Sequence, residues 1–538
     1  MSTTTPTRDT QANHRSSAND HSSANDRSSA NDRSSAVATE PARLARARDW
    51  WGLAVLMLPV LIVSIDNTVL SFALPVIARD LQPSAALQLW IVDVYPLVLA
   101  ALLVSMGNLG DRIGRRKLLL IGSVGFAVVS VLAANAPTAE ALLVARALLG
   151  VFGAALMPCT LSLLRGMFLD RRQRRLAIAV WATGFAAGGA IGPIVGGVLL
   201  EHGHWGSVFL LAVPFLVPLL VLAPLLVTES RDPNPGPLDV VAIVLSMLTF
   251  APVVFAIKHL ATEGFDLVVV LGVVVGIAAG TVLVRRLLAQ RNPLLDVRLF
   301  AVPAFTGSVL VNLVSVLSMV GLLYFLAQHL QLVMGMGPME AGLVLLPGTL
   351  AMVVASLLVV RWVRRVPPAV LMSVGLGLAG IAYLVFAVTG GSSAVWVLAT
   401  AFALLSIGVG MAETLSNDII VAAVPPAKAG AASAVSETAY ELGAVLGTSI
   451  LGGILAASYA ANLVVPAGLT SAQADAAGET LAGALDVADQ LPADLAAVLA
   501  DSARHAFDAG VVVTASVGVV LSILAIVLAA RTVRGQRG

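Results

Sequence analysis

The sequence contains little charge, and this scarcity excludes a soluble protein. Only 12% of its 538 residues are Asp, Glu, Lys or Arg, whereas 58% are hydrophobic and the mean hydropathy is +0.92, values far from those of soluble globular proteins. The single cysteine, Cys159, can build neither a disulfide framework nor a metal site. The lack of a G-x-x-x-x-G-K-[ST] loop argues against an ATP-driven pump. These features indicate a polytopic membrane protein.

Apolar runs of about 20 residues, long enough to cross a bilayer as helices, occur fourteen times. The predicted spans are 51–77, 88–109, 117–135, 139–164, 175–200, 205–227, 238–260, 266–286, 304–332, 340–361, 367–389, 393–421, 430–460 and 509–531. Residues 1–48 instead carry the hydrophilic repeat RSSAND HSSAND RSSAND RSSA, without the apolar stretch that a secretory signal needs. We predict a disordered cytoplasmic tail there.

Lys and Arg are distributed unevenly between the two sides that these helices define. With the N-terminus in the cytoplasm, the tail holds seven of the 32, and the cytoplasmic loops and C-terminus hold twenty-one. Only Arg79, Lys258 and Arg504 fall outside, and Arg146 falls within a helix. The positive-inside rule therefore predicts a multi-pass protein of the cell inner membrane with both termini cytoplasmic.

Ionisable residues inside the predicted helices are few, and each is costly unless it has a role. They are Asp66 in SIDNTVLSFALP, Asp93 in WIVDVY, Arg146 in LLVARALLG, Glu413 and Asp418 in GMAETLSNDII, and Glu437 and Glu441 in SETAYELG. An intramembrane arginine should face a carboxylate or an aqueous cavity. Asp418 is near the cytoplasmic interface, where a structural, snorkelling role is the favoured interpretation.

Glu437 and Glu441 share one helix face because they are four residues apart. Two such carboxylates repel each other, so at least one should hold a proton when the site is empty. A carboxyl that exchanges a proton for a cation is the minimum machinery of an antiporter. The alternative is a pair that is hydrogen-bonded to its neighbours for structure.

Aromatic residues accompany these acids. Their flat faces suit a large, weakly hydrated organic cation, although lipid or helix packing is the simpler role for any one of them. The predicted substrate-binding aromatics are Trp90 and Tyr95 around Asp93, Tyr440 between the two glutamates, and Trp181 and Phe185 in helix 5; Tyr324 and Phe325 lie on helix 9.

The stretch GNLGDRIGRR matches the G-x-L-x-D-R-x-G-R-R signature that the major facilitator superfamily carries between its second and third helices. The positive-inside rule alone does not explain its glycines or its acid. The resemblance implies a cytoplasmic latch that is made in one state of the transport cycle and broken in the other. Its residues here are Gly107, Asp111, Arg112, Gly114, Arg115 and Arg116.

Helix 5 contains GGAIGPIVGG, which is similar to the G-x-x-x-G-P-x-x-G-G element of the proton-antiporting exporters in that family. Its residues are Gly188, Gly192, Pro193, Gly196 and Gly197. Ordinary packing of small residues, with a kink at the proline, is the alternative. The family also places an arginine linked to proton transfer at the position of Arg146.

Internal symmetry predicts two six-helix halves. The four glycines of helix 5 have counterparts eight helices later in Gly443, Gly447, Gly452 and Gly453, an offset that a parallel repeat with two inserted helices explains. We predict a bundle at 49–230, inserted helices with flanking loops at 231–299, a second bundle at 300–532 and a C-terminus at 533–538. Helices 7 and 8 have no ionisable residue between their ends, so they should bind no charge and lie at the periphery.

The C-terminal half includes a predicted extracellular loop at 462–510 that holds seven acids and Arg504, a net charge of −6. Leu481 with Leu485, and Leu495 with Leu499, recur at helical spacing and predict two short helices outside the membrane. They could cap the outer mouth, as such a loop does in similar exporters, or form a solvated segment without a role in transport.

Asp66 in I-D-N-T-V-L-x-x-A-L-P, Asp93 in W-I-V-D-x-Y and the E-T-x-Y-E-L-G run together resemble the fourteen-helix drug:proton antiporters of the QacA type. The resemblance implies an all-α major facilitator fold of 6 + 2 + 6 helices and export of lipophilic cations by alternating access. Asp66, Arg146, Glu437 and Glu441 would couple protons, and Asp93, Glu437 and Glu441 would bind the cation with the aromatics named above. No acid lies in the interior of helix 9 or helix 10, where some relatives of that type carry one, and this makes divalent or dicationic substrates doubtful.

Two other functions remain open: a dedicated exporter of one metabolite or antibiotic in the same fold, and a membrane scaffold or sensor that has lost transport. The intact loop signature and the intramembrane acids argue against the second. We expect a monomer embedded in the lipid bilayer whose partners are protons and small hydrophobic cations, with no cofactor, metal, nucleic acid or enzymatic activity.

Overall fold

The computed structural model describes residues 44–231, 239–262, 264–290, 297–390, 394–423 and 429–533, and these are helical without a β-strand. Most of the predicted tail lies outside the described residues. The helices are α1 Ala47–Leu81, α2 Ala85–Ile113, α3 Arg115–Ala134, α4 Ala139–Met167, α5 Arg171–His202, α6 Ser207–Leu226, α7 Val240–Thr262, α8 Leu267–Ala289, α9 Pro303–Gln328, α10 Pro338–Trp362, α11 Pro368–Thr389, α12 Val395–Ala422, α13 Ala429–Leu446, α14 Ser471–Glu479, α15 Leu481–Ala488 and α16 Ala493–Thr532.

Two of these helices continue through a wider turn. A π-helical turn at His329–Val333 follows α9, and one at Gly447–Gly452 joins α13 to a last helical piece at Gly453–Asn462. Thirteen helices in the described part of the chain are long and apolar enough to cross a membrane, and the remaining predicted span, 175–200, lies within the 32-residue helix α5. The all-α membrane class is confirmed.

Glycines let the helices of each half approach closely. A methyl group at Gly188 of α5 would stand 2.9 Å from the carbonyl oxygen of Leu61 on α1, a distance that requires the backbones to separate. The same contact recurs between α13 and α9, where a methyl group at Gly443 would stand 2.5 Å from the carbonyl oxygen of Leu313. The spacing of eight helices agrees with the predicted parallel repeat.

The inserted helices α7 and α8 pack on each other through Gly272 and Gly276 and expose much of their surface. At the start of α7 and the end of α8, Arg286 donates from Nε and Nη2 to the carboxylate of Asp239, with shortest distances of 2.9 and 3.0 Å. This pairing lowers the pKa of Asp239 to about 2. The peripheral location agrees with the sequence-based expectation.

The expectation that these two helices bind no charge is wrong. Lys258 lies near the end of the predicted span 238–260 and was assigned to the outside, but in α7 its side chain turns toward the bundle instead of toward the surface. Its side chain is buried against α2, with 1% of its surface exposed. Of the three basic residues that the prediction assigned to the outside, Arg79 and Arg504 are then left, and the predicted orientation is unchanged.

The outer segment after α13 differs in part from the prediction. Two short helices are present, but Leu495 and Leu499 belong to α16, which begins at Ala493 instead of near 509. Buried positions at Leu499, Ala503, Ala506 and Gly510 continue one helix face into the membrane span, and this continuity explains the earlier start. The second short helix is therefore α15, which buries Leu481 and Leu485.

The helices α14 and α15 connect the two halves at the end of the bundle that is predicted to face outward. The Tyr459 hydroxyl donates to the carbonyl oxygens of Ala477 and Thr480, at 2.9 and 3.2 Å. Glu479 in turn accepts a hydrogen bond of 2.9 Å from the backbone amide of Ala85, at the start of α2. Asp486 lies 3.8 Å from Arg79 of α1, and burial raises the pKa of its carboxyl, an effect that Arg79 partly offsets.

Candidate functional site

Asp66 of α1 and Arg146 of α4 form an ion pair inside the N-terminal half. Arg146 Nη1 lies 2.6 Å from Asp66 Oδ2, and the two residues expose 1% and 8% of their surfaces. Arg146 Nε also donates to the carbonyl oxygen of Ile91 at 3.2 Å. The intramembrane arginine thus meets a carboxylate, as its cost in an apolar environment requires. A proton delivered to Asp66 would remove the charge that holds Arg146.

Tyr95 belongs to this ion pair and not to the surroundings of Asp93, where the sequence analysis placed it. The guanidinium of Arg146 lies 4.6 Å from the centre of the Tyr95 ring. Residues 93 and 95 are about 200° apart around a helix and so point to different neighbours. Because the ring is buried beneath a cation of the protein, Tyr95 positions Arg146 in this structure.

Asp93 lies in a second buried cluster at the junction of α2, α7 and α13. Its Oδ2 accepts a hydrogen bond of 2.6 Å from the Ser449 hydroxyl and lies 3.0 Å from Lys258 Nζ. The ammonium also lies 4.0 Å from the centre of the Trp90 ring, so Trp90 and Asp93 contact the same group.

The sequence analysis did not identify Lys258 or Ser449. Ser449 lies in the π-helical turn Gly447–Gly452. The sequence analysis did not predict this turn, and so it did not place Ser449 beside Asp93. The signal for Lys258 was its position four residues before the end of α7, because a lysine within a membrane helix needs a partner as an arginine does.

Three glutamates of the C-terminal half form the third part of the site. Glu437 and Glu441 lie on α13, and Glu413, whose role was left open, lies on α12. Glu437 lies within electrostatic reach of Glu413 and Glu441, and Glu441 also lies within such reach of Asp66 of the other half. Glu441 Oε2 is buried and accepts no hydrogen bond from the described residues.

The aromatic residues near these acids differ in accessibility. Tyr440 is partly accessible and lies close enough to interact with all three glutamates. Trp181 of α5 donates from Nε1 to the Thr160 hydroxyl at 3.2 Å. The side chains of Phe185 and Pro193 lie outside the part of the structure that is described. Tyr324 and Phe325 are buried in α9.

The predicted helix-packing motif brings α5 against α1 beside Asp66. Gly188 faces Ser64, Gly192 faces Thr68 and Gly196 faces Val69. Gly197 instead faces the backbone of Met339, at the start of α10 in the other half. The glycines therefore pack α5 against the helix that carries Asp66 and, at their outer end, against the C-terminal half.

The predicted latch joins the loop between α2 and α3 to the segment after α6. Arg115 Nε lies 2.7 Å from Asp111 Oδ1, and Nη1 donates to the Ser230 hydroxyl at 3.2 Å. The carboxylate of Glu229 accepts hydrogen bonds from the amides of Arg116 and Lys117, at 2.9 and 3.2 Å. These contacts fix the first turn of α3, whose free amides favour an anion.

The other latch residues shape the same turn. Gly114 has φ +108°, and a methyl group there would stand 2.9 Å from Cδ of Glu229, so glycine is required both by conformation and by space. The carbonyl oxygen of Arg112 accepts a hydrogen bond of 2.7 Å from Arg231 Nε. Gly107 packs against Pro158 of α4.

Relatives match nearly the whole chain. The multidrug efflux pump LfrA of Mycolicibacterium smegmatis is 57% identical over 488 residues, which cover 91% of this chain and 96% of LfrA. The methyl viologen resistance protein SmvA of Salmonella typhimurium is 34% identical over 86% of this chain and 93% of its own. The tetracenomycin C resistance and export protein of Streptomyces glaucescens is 32% identical over 93% and 94%.

Solved structures show the same fold at low identity. A bacterial homologue of the human lysosomal transporter Spinster, in its inward-facing and occupied conformation, gives a TM-score of 0.64 at 17% identity over 91% of this chain and 98% of its own. A POT family transporter in complex with 5-aminolevulinic acid gives 0.60 at 14% identity, over 89% and 96%. The family model of the Major Facilitator Superfamily matches residues 56–448. The chain, with its intramembrane ion pairs and the arginine-rich turn between α2 and α3, therefore belongs to the major facilitator superfamily of membrane transporters.

Proposed function

We propose that this transporter is a proton-driven efflux pump that exports hydrophobic organic cations, such as quaternary ammonium compounds and ethidium, from the cytoplasm. The names of two relatives support this proposal, since LfrA is a multidrug efflux pump and SmvA a methyl viologen resistance protein. The protein lies in the cytoplasmic membrane with both termini inside, as the distribution of basic residues favours, and works as a monomer.

The observation that carries the proposal is the difference between the two halves in how their acids are neutralised. Asp66 has a fixed cation in Arg146. Glu437 and Glu441 form no ion pair within the described part of the chain. They lie close enough to influence each other electrostatically, and Glu441 also lies within such reach of Asp66. Acids without a fixed cation bind either a proton or the cation of a substrate, which is the exchange an antiporter performs.

Contacts between the halves support a state that is closed toward the outside. Gly197 meets Met339, Gln331 Nε2 donates to the carbonyl oxygen of Phe72 at 3.2 Å, and Glu479 bonds to the start of α2. All of these lie in the outer half of the bundle. The cycle requires them to break while the cytoplasmic side closes, and the latch around Arg115 is the candidate for controlling that step.

The test is efflux and binding in the full-length protein. Vesicles with an imposed pH gradient should expel ethidium, and wild-type binding of ethidium or tetraphenylphosphonium should tighten as pH rises because fewer protons compete. Glu437→Gln and Glu441→Gln should each flatten this pH dependence. Glu140→Gln, at the exposed start of α4, is the matched control and should leave it unchanged.

Affinity that does not change with pH in the wild type would contradict proton competition, and a double Gln variant with unchanged affinity and pH slope would show that the two acids are structural.

The relative named for tetracenomycin C export favours one alternative, a dedicated exporter of a single metabolite or antibiotic. That function predicts tight binding of one compound and weak binding across a panel of unrelated cations.

A further inference from the structure

A lysine of the inserted helices occupies the position at Asp93 that an organic cation would take. Lys258 Nζ lies 3.0 Å from Asp93 Oδ2 and 4.0 Å from the centre of the Trp90 ring. Both charged side chains expose only 1% of their surfaces. The ammonium thus contacts a carboxylate and an aromatic face together, the two groups that recognise a lipophilic cation.

The carboxylate is not saturated by these contacts. The Ser449 hydroxyl and Lys258 both bind Oδ2 of Asp93, whereas Oδ1 is buried and accepts no hydrogen bond from the described residues. A buried carboxylate oxygen normally has a partner. Lys258 therefore neutralises the charge of Asp93 without satisfying both of its carboxylate oxygens.

Attachment of α7 to the bundle does not require this ion pair. An apolar cluster of Val254 with Leu97 of α2 and Val445 of α13, flanked by Phe250, already joins the same three helices. A buried ion pair in place of apolar residues adds little net stability, because desolvation offsets the attraction. Lysine also carries a compact charge on a flexible stem, which suits a group that enters and leaves a site.

We propose that Lys258 is a tethered cation that occupies the subsite formed by Trp90 and Asp93 and competes there with the exported cation. This inference rests on the proposed function. The exported cation replaces the ammonium one charge for one, so the subsite stays neutral when a monovalent cation enters. The inserted pair α7 and α8 thereby sets which cations have access to Asp93.

Equilibrium binding of tetraphenylphosphonium to the purified full-length protein at mildly alkaline pH tests the competition. Lys258→Met removes the competitor and should tighten binding about tenfold or more, since one cation–π contact and one repulsive charge are involved. Arg504→Met removes an exposed positive charge from the outer segment and should leave the affinity unchanged. Binding to Lys258→Met that is unchanged or weaker would overturn the proposal.

A second comparison does not depend on the folding of Lys258→Met, which leaves Asp93 without its cation. Asp93→Asn keeps the Lys258 ammonium in the subsite but removes the carboxylate, and it should weaken binding of tetraphenylphosphonium. The double variant with Lys258→Met removes that ammonium without leaving a buried charge, so it should bind more tightly than Asp93→Asn alone. Equal affinities would refute the tethered cation.

The wild type separates this inference from the proposed function. If the wild type neither binds nor exports tetraphenylphosphonium, the proposed function fails. If it exports the ion in a gradient-dependent manner and Lys258→Met binds it no more tightly, only the tethered cation fails.

Discussion

Replacing Asp66 by Asn tests the buried ion pair and its role in coupling at once. The substitution preserves the size of the side chain but removes the charge that lies 2.6 Å from Arg146 Nη1. It also removes the carboxyl that would accept a proton. We therefore expect the variant to insert in the membrane, to bind its cation still, and to lose transport driven by a pH gradient.

The stability cost follows from the burial of Arg146, which exposes 1% of its surface. Removing one partner of a buried ion pair costs about 3–5 kcal/mol, because the remaining charge has no compensation. Asp111→Asn is the matched control: it breaks a pair of similar length with Arg115, in which both side chains are 26% exposed. Such a pair contributes at most about 1 kcal/mol. Asp66→Asn combined with Arg146→Gln should recover part of the loss.

Denaturant titration of the purified variants measures the stability difference, and ethidium efflux from vesicles measures coupling. Equilibrium exchange of ethidium across vesicles without a gradient should persist in Asp66→Asn, because that reaction needs no net proton transfer. Full gradient-driven efflux in this variant would remove Asp66 from the coupling role. A stability loss no larger than that of Asp111→Asn would show that the ion pair contributes little to the folded state.

Further predictions concern the latch, the outer segment and the inserted helices. Arg115→Ala removes the bonds to Asp111 and Ser230 and should lower the maximal rate of efflux severalfold at unchanged affinity; a selective loss of binding would contradict this. Leu485→Asp places a charge in the buried face of α15 and should reduce yield or stability by about 2–3 kcal/mol, whereas an unchanged protein would mean that the segment is not part of the core. Asp239→Asn should destabilise the protein by about 1 kcal/mol above pH 4 and by progressively less toward pH 2, since the lowered pKa of Asp239 stabilises only the ionised form; melting curves across pH measure it.

The helices and their pairing could be predicted because hydropathy runs are local in the sequence and the glycine spacing is repeated in both halves. Hydropathy runs fix the spans to within several residues, and small residues spaced by four indicate a close helix contact. The counterpart of Gly188 at Gly443 then indicates which helices of the second half repeat the contact. The start of α16 was missed because its outer part is amphipathic and acidic, so hydropathy alone reports only its membrane part.

The partner of a buried charge could be predicted only where few residues of opposite charge were available in the same half of the bundle. Arg146 needed an acid inside the same half, and Asp66 was one of two candidates there. Lys258 and Asp93 are 165 positions apart, and the inserted pair is outside the repeat that relates the halves, so symmetry gave no information about its neighbours. The error on Tyr95 was avoidable from the sequence. Two residues that are two positions apart on a helix point in nearly opposite directions, so Tyr95 and Asp93 cannot face the same neighbours.

Under the proposed function, the described contacts provide a way for protonation of Asp66 to expel the bound cation. Asp66 and Asp93 are each neutralised by a cation of the protein, Arg146 and Lys258. Protonation of Asp66 would release the guanidinium of Arg146, and Glu441 is the acid whose charge already interacts with Asp66 across the interface. A guanidinium released toward Glu441 would compete with a bound cation and expel it. Coupling of this kind needs no direct contact between the proton and the cargo. We therefore expect Arg146→Lys to uncouple transport more than it weakens binding, because an ammonium lacks the planar fork of the guanidinium.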